Sequence, residues 1–269
     1  MSTRAKPSSL VGVPIPAFDE SPSSWLARAA LSQGISMQGL LSHLQLPVPA
    51  ELDFFIHAKN ISVAWEAAGL SSFPLDGANR VLSNLKKIDP QGKLYLLRTE
   101  DRIRYRYCAP CLLAQRQKYL PIHWRFKAWQ WCPQHFSHMR DACPTCGREI
   151  ELPANLAHAG MGREGVASLD HCLCCGYRLS RTASEDCSKV ELNSLDRWHQ
   201  LLMRNGRAFL AALYYGYVFA DGERKRIQYL KRFQTIIPAE LSVWKMAMAA
   251  SGSDNIAQDD AHLENQEEQ

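Results

Sequence analysis

The chain has 269 residues, 46% of them hydrophobic and 22% charged, with a formal net charge of +4, all within the range of a soluble globular protein. A chain of this length can bury an ordinary apolar core, so disulfides are not needed for stability. The longest apolar run, Leu210 to Ala220, is about half of what a spanning helix needs, and the first apolar stretch is broken by Gly12, Pro14 and Pro16. Membrane anchoring and secretion are therefore not expected, and the sequence reads as cytoplasmic. In that reducing compartment paired cysteines point to metal or catalysis.

Residues 1–20 read as extended. Ser23 or Ser24 is then placed to cap a helix with Trp25, Leu26, Ala29 and Ala30 on one face and Gly34 as its stop. Ser36 opens a second helix with Leu40, Leu41 and Leu44 as its apolar side. The pair has helix-turn-helix spacing, although a helical hairpin that only packs has the same signature. Further helical pieces lie around 63–68 and 78–87, and KLYLLRTEDRIRYRY, residues 93–107, alternates Leu, Ile and Tyr with Arg as short strands do.

Four knuckles follow: Cys108-x-x-Cys111, Cys132-Pro-x-His135, Cys143-x-x-Cys146 and Cys172-x-x-Cys175. A two-residue gap lets both ligand atoms face one ion, so the eight residues make two closed four-ligand zinc sites. The sequential partition puts Cys108, Cys111, Cys132 and His135 on one zinc and Cys143, Cys146, Cys172 and Cys175 on the other. An interleaved pairing has the same ligand count. Cys174 and Cys187 are left over as ordinary thiols, and His123 and His138 are substitute ligands outside any knuckle. Closed sites are structural, whereas a catalytic zinc keeps a position open for water; no HExxH or H-x-E…PCxxC motif is present, so no enzyme is expected.

Between Arg98 and Arg148 there are ten basic residues against three acidic ones, interleaved with Tyr119, Trp124, Trp129 and Trp131. Basic residues with aromatics suit nucleic acid, although tryptophans of this kind equally belong in a core. Arg125, Lys127, Arg140 and Arg148 are the candidates for phosphate contact. Residues 195–219 and 223–250 read as two or three helices, with Trp198, Leu201, Leu202, Phe209, Leu213, Leu230 and Phe233 as core positions. Lys and Arg at 204, 207, 224–226, 231 and 232 line their other faces. Residues 251–269 hold six acidic residues and no Lys or Arg, leaving 31 basic against 21 acidic on the remainder. A basic body with an acidic, disordered tail fits a polyanionic partner, and equally a solubilising tail.

The expected architecture is mainly α with small β. Residues 1–92 form a helix-turn-helix-like N-terminal region, 93–189 a tandem zinc-ribbon or zinc-finger module, 190–250 a helical region and 251–269 the acidic tail. The N-terminal ESPSSWLAR and the later YCAPC, YLPIHWRF, WCPQH and CPTCG resemble the TniQ family, the TnsD/TniQ group of transposon proteins. The match rests on Glu20, Ser21, Ser24, Trp25, Leu26 and Arg28, then on Cys108, Cys111, Tyr119, Trp124, Arg125, Cys132, Pro133, His135, Cys143, Pro144, Cys146 and Gly147.

The resemblance implies a non-catalytic target-selection factor. Such a factor engages target DNA, or a CRISPR RNA-guided complex bound to it, and recruits the transposon's AAA+ ATPase regulator. A homodimer is compatible with this role. The alternative from another class is a stand-alone, zinc-containing, sequence-specific DNA-binding regulator.

Overall fold

A computed structural model describes residues 10–46, 51–55, 66–69, 76–99, 102–152, 169–172, 174–182, 197–220 and 223–227. Among these, helices combine with three small two-stranded antiparallel sheets. No described helix is long and apolar enough to cross a membrane.

Helix α1, Pro22–Ser32, is capped by Ser21, not by Ser23 or Ser24. Ser21 is extended (φ −70°, ψ 144°), and its hydroxyl accepts the Ser24 amide at 3.1 Å. Pro22 suits the first helical position because no N–H is needed there. Ser36 caps α2, Met37–His43, accepting the Gly39 amide at 2.9 Å. Trp25, Leu40, Leu41 and Leu44 are buried, so the apolar sides of this hairpin are used in packing.

Two further N-terminal helices follow, α3 at Leu52–Phe55 and α4 at Asp76–Ile88. Half of the helical piece expected at 63–68, residues 63–65, lies outside the described residues, and residues 66–67 are helical. The alternating stretch that follows yields one strand, β1 at Ile103–Tyr105. It pairs with β4, Ile150–Leu152, in the register Ile103↔Leu152, Arg104↔Glu151 and Tyr105↔Ile150. Alternate residues of β1 face the core, as a half-buried strand requires. Between these strands lie the short helix α5, Ala109–Ala114, and a 3₁₀ turn, Ile122–Arg125. The hairpin of β2, Trp131–Cys132, with β3, Ser137–His138, follows them.

After the cysteine region comes α6, Arg197–Tyr215, which packs on α4. The helix expected from residue 223 is instead a strand at its start: β6, Glu223–Arg226, pairs with β5, Tyr217–Ala220. Gly216, at φ +76°, ends α6 in a conformation that L side chains rarely adopt. Among the core positions expected here, Phe209 and Leu213 are buried. Side chains of Trp198, Leu201, Leu202, Leu230 and Phe233 lie outside the described set.

Buried side chains from Leu10 to Ile227 form one contiguous cluster that includes Cys108, Cys132, Cys143 and Cys172. The cysteine knuckles are therefore rooted in the common core. Gly216 also tests the packing of α4 on α6, because a Cβ there meets the Asn84 amide at 3.0 Å. Gly216→Ala is expected to cost about 1–2 kcal/mol from the positive φ alone, read as a lowered denaturation midpoint with an unchanged slope.

Candidate metal centres and the polar network beneath them

The first cluster joins α5 to the β2–β3 hairpin. Cys108 is the residue preceding α5 and Cys111 lies in its first turn, while Cys132 ends β2 and His135 sits in the turn before β3. Phe136 takes φ +47° to close that turn. The His135 Nδ1 atom lies 3.4 Å from Cys108 Sγ, 3.2 Å from Cys111 Sγ and 3.5 Å from Cys132 Sγ. Cys111 and Cys132 sulfurs are 3.6 Å apart.

The second cluster is built from two near-identical turns. In one, the Gly147 amide donates to the Cys143 carbonyl at 2.9 Å; in the other, the Gly176 amide donates to the Cys172 carbonyl at 2.9 Å. The two glycines share φ values of +68° and +73°, and open space surrounds a Cβ built at Gly147, so backbone conformation alone explains glycine there. Sulfurs of Cys143 and Cys175 are 3.7 Å apart, and those of Cys146 and Cys172 are 3.6 Å apart.

These spacings fit a metal ion. A tetrahedral zinc, at about 2.3 Å from sulfur and about 2.0 Å from nitrogen, requires S···S edges of about 3.8 Å and S···N edges of about 3.5 Å. Within each foursome, Cys108, Cys111, Cys132 and His135 or Cys143, Cys146, Cys172 and Cys175, the ligand atoms all lie within 4.8 Å of one another. The grouping is sequential rather than interleaved.

Backbone amides of Gln134 and His135 donate to Cys132, and those of Cys174 and Cys175 to Cys172. The Arg148 amide serves Cys146 and the Tyr177 amide serves Cys175, the same two-residue offset in both turns. Such donors favour thiolates, the form that binds metal, although burial outweighs them at Cys172 and pushes its thiol up to about 12. Hydrogen bonds from Cys108 and Cys111, with these amides, outweigh burial and hold the Cys132 thiol down to about 4. Cys174 is exposed and outside both foursomes, and Cys187 lies beyond the described residues. The two substitute histidines are elsewhere. His123 lies against the Trp129 ring at 4.6 Å, and His138 against Trp131 at 5.1 Å.

A buried polar network that sequence reasoning missed ties α1 to the segment between α5 and β2. Glu20 is fully buried and accepts Arg28 Nε at 2.8 Å and Arg28 Nη2 at 2.5 Å. Ser24 Oγ donates to Glu20 Oε1 at 2.7 Å and accepts the Leu120 amide at 2.9 Å. Burial pushes the Glu20 carboxyl above its ordinary value, against the pull of Arg28. The Tyr105 hydroxyl meets Ser21 and Ser23 hydroxyls at 2.5 and 2.6 Å. The ESPSS motif is thus the joint between α1 and the Leu120–Ile122 segment.

Arg125, expected at a phosphate, is instead fully buried. Its guanidinium donates to both Glu51 oxygens, at 2.8 and 3.1 Å, to Asp53 Oδ2, and to the Leu97 carbonyl at 3.2 Å. A charge held this way cannot reach a nucleic acid. Burial alone pushes the Glu51 carboxyl up, but Arg125 overcomes it and leaves it below its ordinary value. Asp53 ends above its ordinary value, because burial and neighbouring Glu51 outweigh the same guanidinium. Lys127 and Arg148 are exposed and Arg140 is half-buried, its backbone paired with Tyr107. Trp124, Trp129 and Trp131 are buried and serve packing.

A cavity of about 480 Å³ opens beside the first cluster, lined by Cys111, Cys132, Trp124, Trp129, Arg207 and Tyr214 among others. His123 lies on its wall, 3.9 Å from Asp19, and burial holds its pKa below the ordinary value despite that carboxylate.

Compared with known proteins, residues 12–139 match the TniQ family model. That span contains the Glu20–Arg28 pair, Arg125 and the whole first cluster, and it stops before Cys143. No curated protein matches the chain.

Proposed function

The chain belongs to the TniQ family through residues 12–139, which associates it with transposition target selection, and on that premise we propose that it is a non-catalytic adaptor. The adaptor bridges target DNA, or a DNA-bound and in some elements CRISPR RNA-guided complex, to the AAA+ ATPase of the transposon. The observation that carries this reading is the closed ligand set of each cluster. In each cluster four protein ligand atoms lie within 4.8 Å of one another, so an ion held by all four has no site left for water or substrate. Zinc is the ion that best matches three thiols plus an imidazole, and four thiols.

Ions so held are scaffold. They fix α5, the β2–β3 hairpin and the two glycine turns in one arrangement, which is what a docking platform needs. Cys108, Cys111, Cys132 and His135 hold the first ion, and Cys143, Cys146, Cys172 and Cys175 the second.

The test is capture of the element's own AAA+ ATPase by the zinc-loaded chain and by the chain after chelation. Retention by the loaded form and loss after chelation is the expected result. Equal capture by both, or none by the loaded form, contradicts the adaptor reading.

A further inference from the structure

The end of α6, the β5–β6 hairpin and α4 share one basic surface. Val218 is buried, so the pleat turns its neighbour Tyr217 to the opposite, outer face. Arg226 is the direct cross-strand partner of Tyr217, and Arg224 lies two residues away on the same face. Both arginines are exposed.

Rings and guanidinium groups then continue in a row. The Arg224 guanidinium carbon lies 3.7 Å from the Tyr217 ring centroid. Tyr217 is 5.8 Å from Tyr215, and Tyr215 is 5.2 Å from Tyr214. At the far end the Arg80 guanidinium carbon lies 5.5 Å from the Tyr214 centroid. One helical turn further along α4, Asn84 donates to the Leu213 carbonyl at 2.8 Å and accepts Lys87 Nζ at 2.8 Å. This clamp ties α4 to the end of α6 and carries Lys87 on the same stripe as Arg80.

Guanidinium groups resting on tyrosine rings keep their outward N–H edges while losing conformational freedom. Because Arg224 already covers Tyr217, the row offers positioned cations rather than an open platform for stacking bases. α4 and β6 contain only Asp76 and Glu223 as acidic residues, against Arg80, Lys86, Lys87, Arg224, Lys225 and Arg226.

We infer that this arginine–tyrosine row is a surface for the phosphate backbone of duplex DNA. The inference deepens the adaptor reading and rests on it, by assigning the DNA-facing side to α4 and the β5–β6 hairpin rather than to the cysteine module. Phosphate contacts of this kind position a protein without reading sequence.

The test is fluorescence anisotropy of the full-length, zinc-loaded chain with a short labelled duplex over a range of salt. The variants are Arg224→Ala with Arg226→Ala, and Lys127→Ala with Arg148→Ala on the cysteine module. Loss of both hairpin arginines is expected to weaken binding at low salt by about tenfold or more and to flatten the salt slope by about two, one per lost phosphate contact. Tyr217→Leu, which keeps every charge, gives a smaller loss. Unchanged binding by the hairpin variant, loss confined to the Lys127/Arg148 variant, or no duplex binding by the parent chain overturns the inference. So does tighter binding of single strands or of polyglutamate. Each of these leaves ATPase capture, and with it the adaptor reading, to be judged separately.

Discussion

Cys132→Ser is expected to release the ion of the first cluster and unfold the chain around it. Cys132 is buried, belongs to the common core and stands at the end of β2, beside α6. In zinc-finger peptides a structural zinc contributes an apparent 10–16 kcal/mol, roughly, to folding, whereas a whole domain is stable by only about 5–15 kcal/mol. Losing one site therefore exceeds what the rest of the fold can absorb. Thermal melting should lose its cooperative transition, and metal content should fall. Cys174→Ser is the matched control. Its thiol is exposed and outside both clusters, so stability should move by no more than about 0.5 kcal/mol. A cooperative, parent-like melt for Cys132→Ser counts against a structural ion.

Arg125→Leu is the second large effect, expected to cost about 3–5 kcal/mol. The figure does not measure the worth of the ion pair, because replacing all of its members by apolar residues is often nearly neutral. It measures what remains when Glu51 and Asp53 are left buried without a guanidinium. The sign of the pH dependence follows. In the parent, Glu51 is held below its ordinary pKa, so its contribution is present above the unfolded value and fades as pH falls through the folded one. Without Arg125 the largest cause that lowers both carboxyls vanishes and burial raises them. The folded variant then takes up protons before the unfolded chain does. Its deficit should therefore be largest at neutral pH and shrink as pH approaches the ordinary carboxylate range of about 4. Adding Glu51→Gln and Asp53→Asn should recover part of the loss and remove that pH dependence. A deficit independent of pH contradicts the assignment.

The cysteine spacing carried most of the metal geometry, because a two-residue gap nearly fixes a knuckle and consecutive knuckles are the simplest to bring together. Helices α1 and α2 were legible from Ser36, Gly34 and the leucine spacing. The cap of α1 was misplaced because three serines, Ser21, Ser23 and Ser24, surround Pro22. Proline favours the first helical position, which makes Ser21 the cap. Arg125 was misread because charge alone does not reveal burial. Its neighbours Trp124 and Phe126 were a clue to an inward residue, but its partners Glu51 and Asp53 lie more than seventy positions away, beyond any local pattern. The β5–β6 hairpin was hidden by the long apolar run of α6 continuing into Tyr217–Ala220. Asp221-Gly222, a strong hairpin signal between the two strands, was the feature to weigh.

The most direct measurement is the native mass of the gently purified chain, taken before and after strong chelation. The account predicts two zinc ions per chain, lost together with the folded charge-state distribution. A chain that carries no tightly held metal, or keeps its folded distribution after losing it, contradicts the claim that two closed metal centres hold this protein in shape.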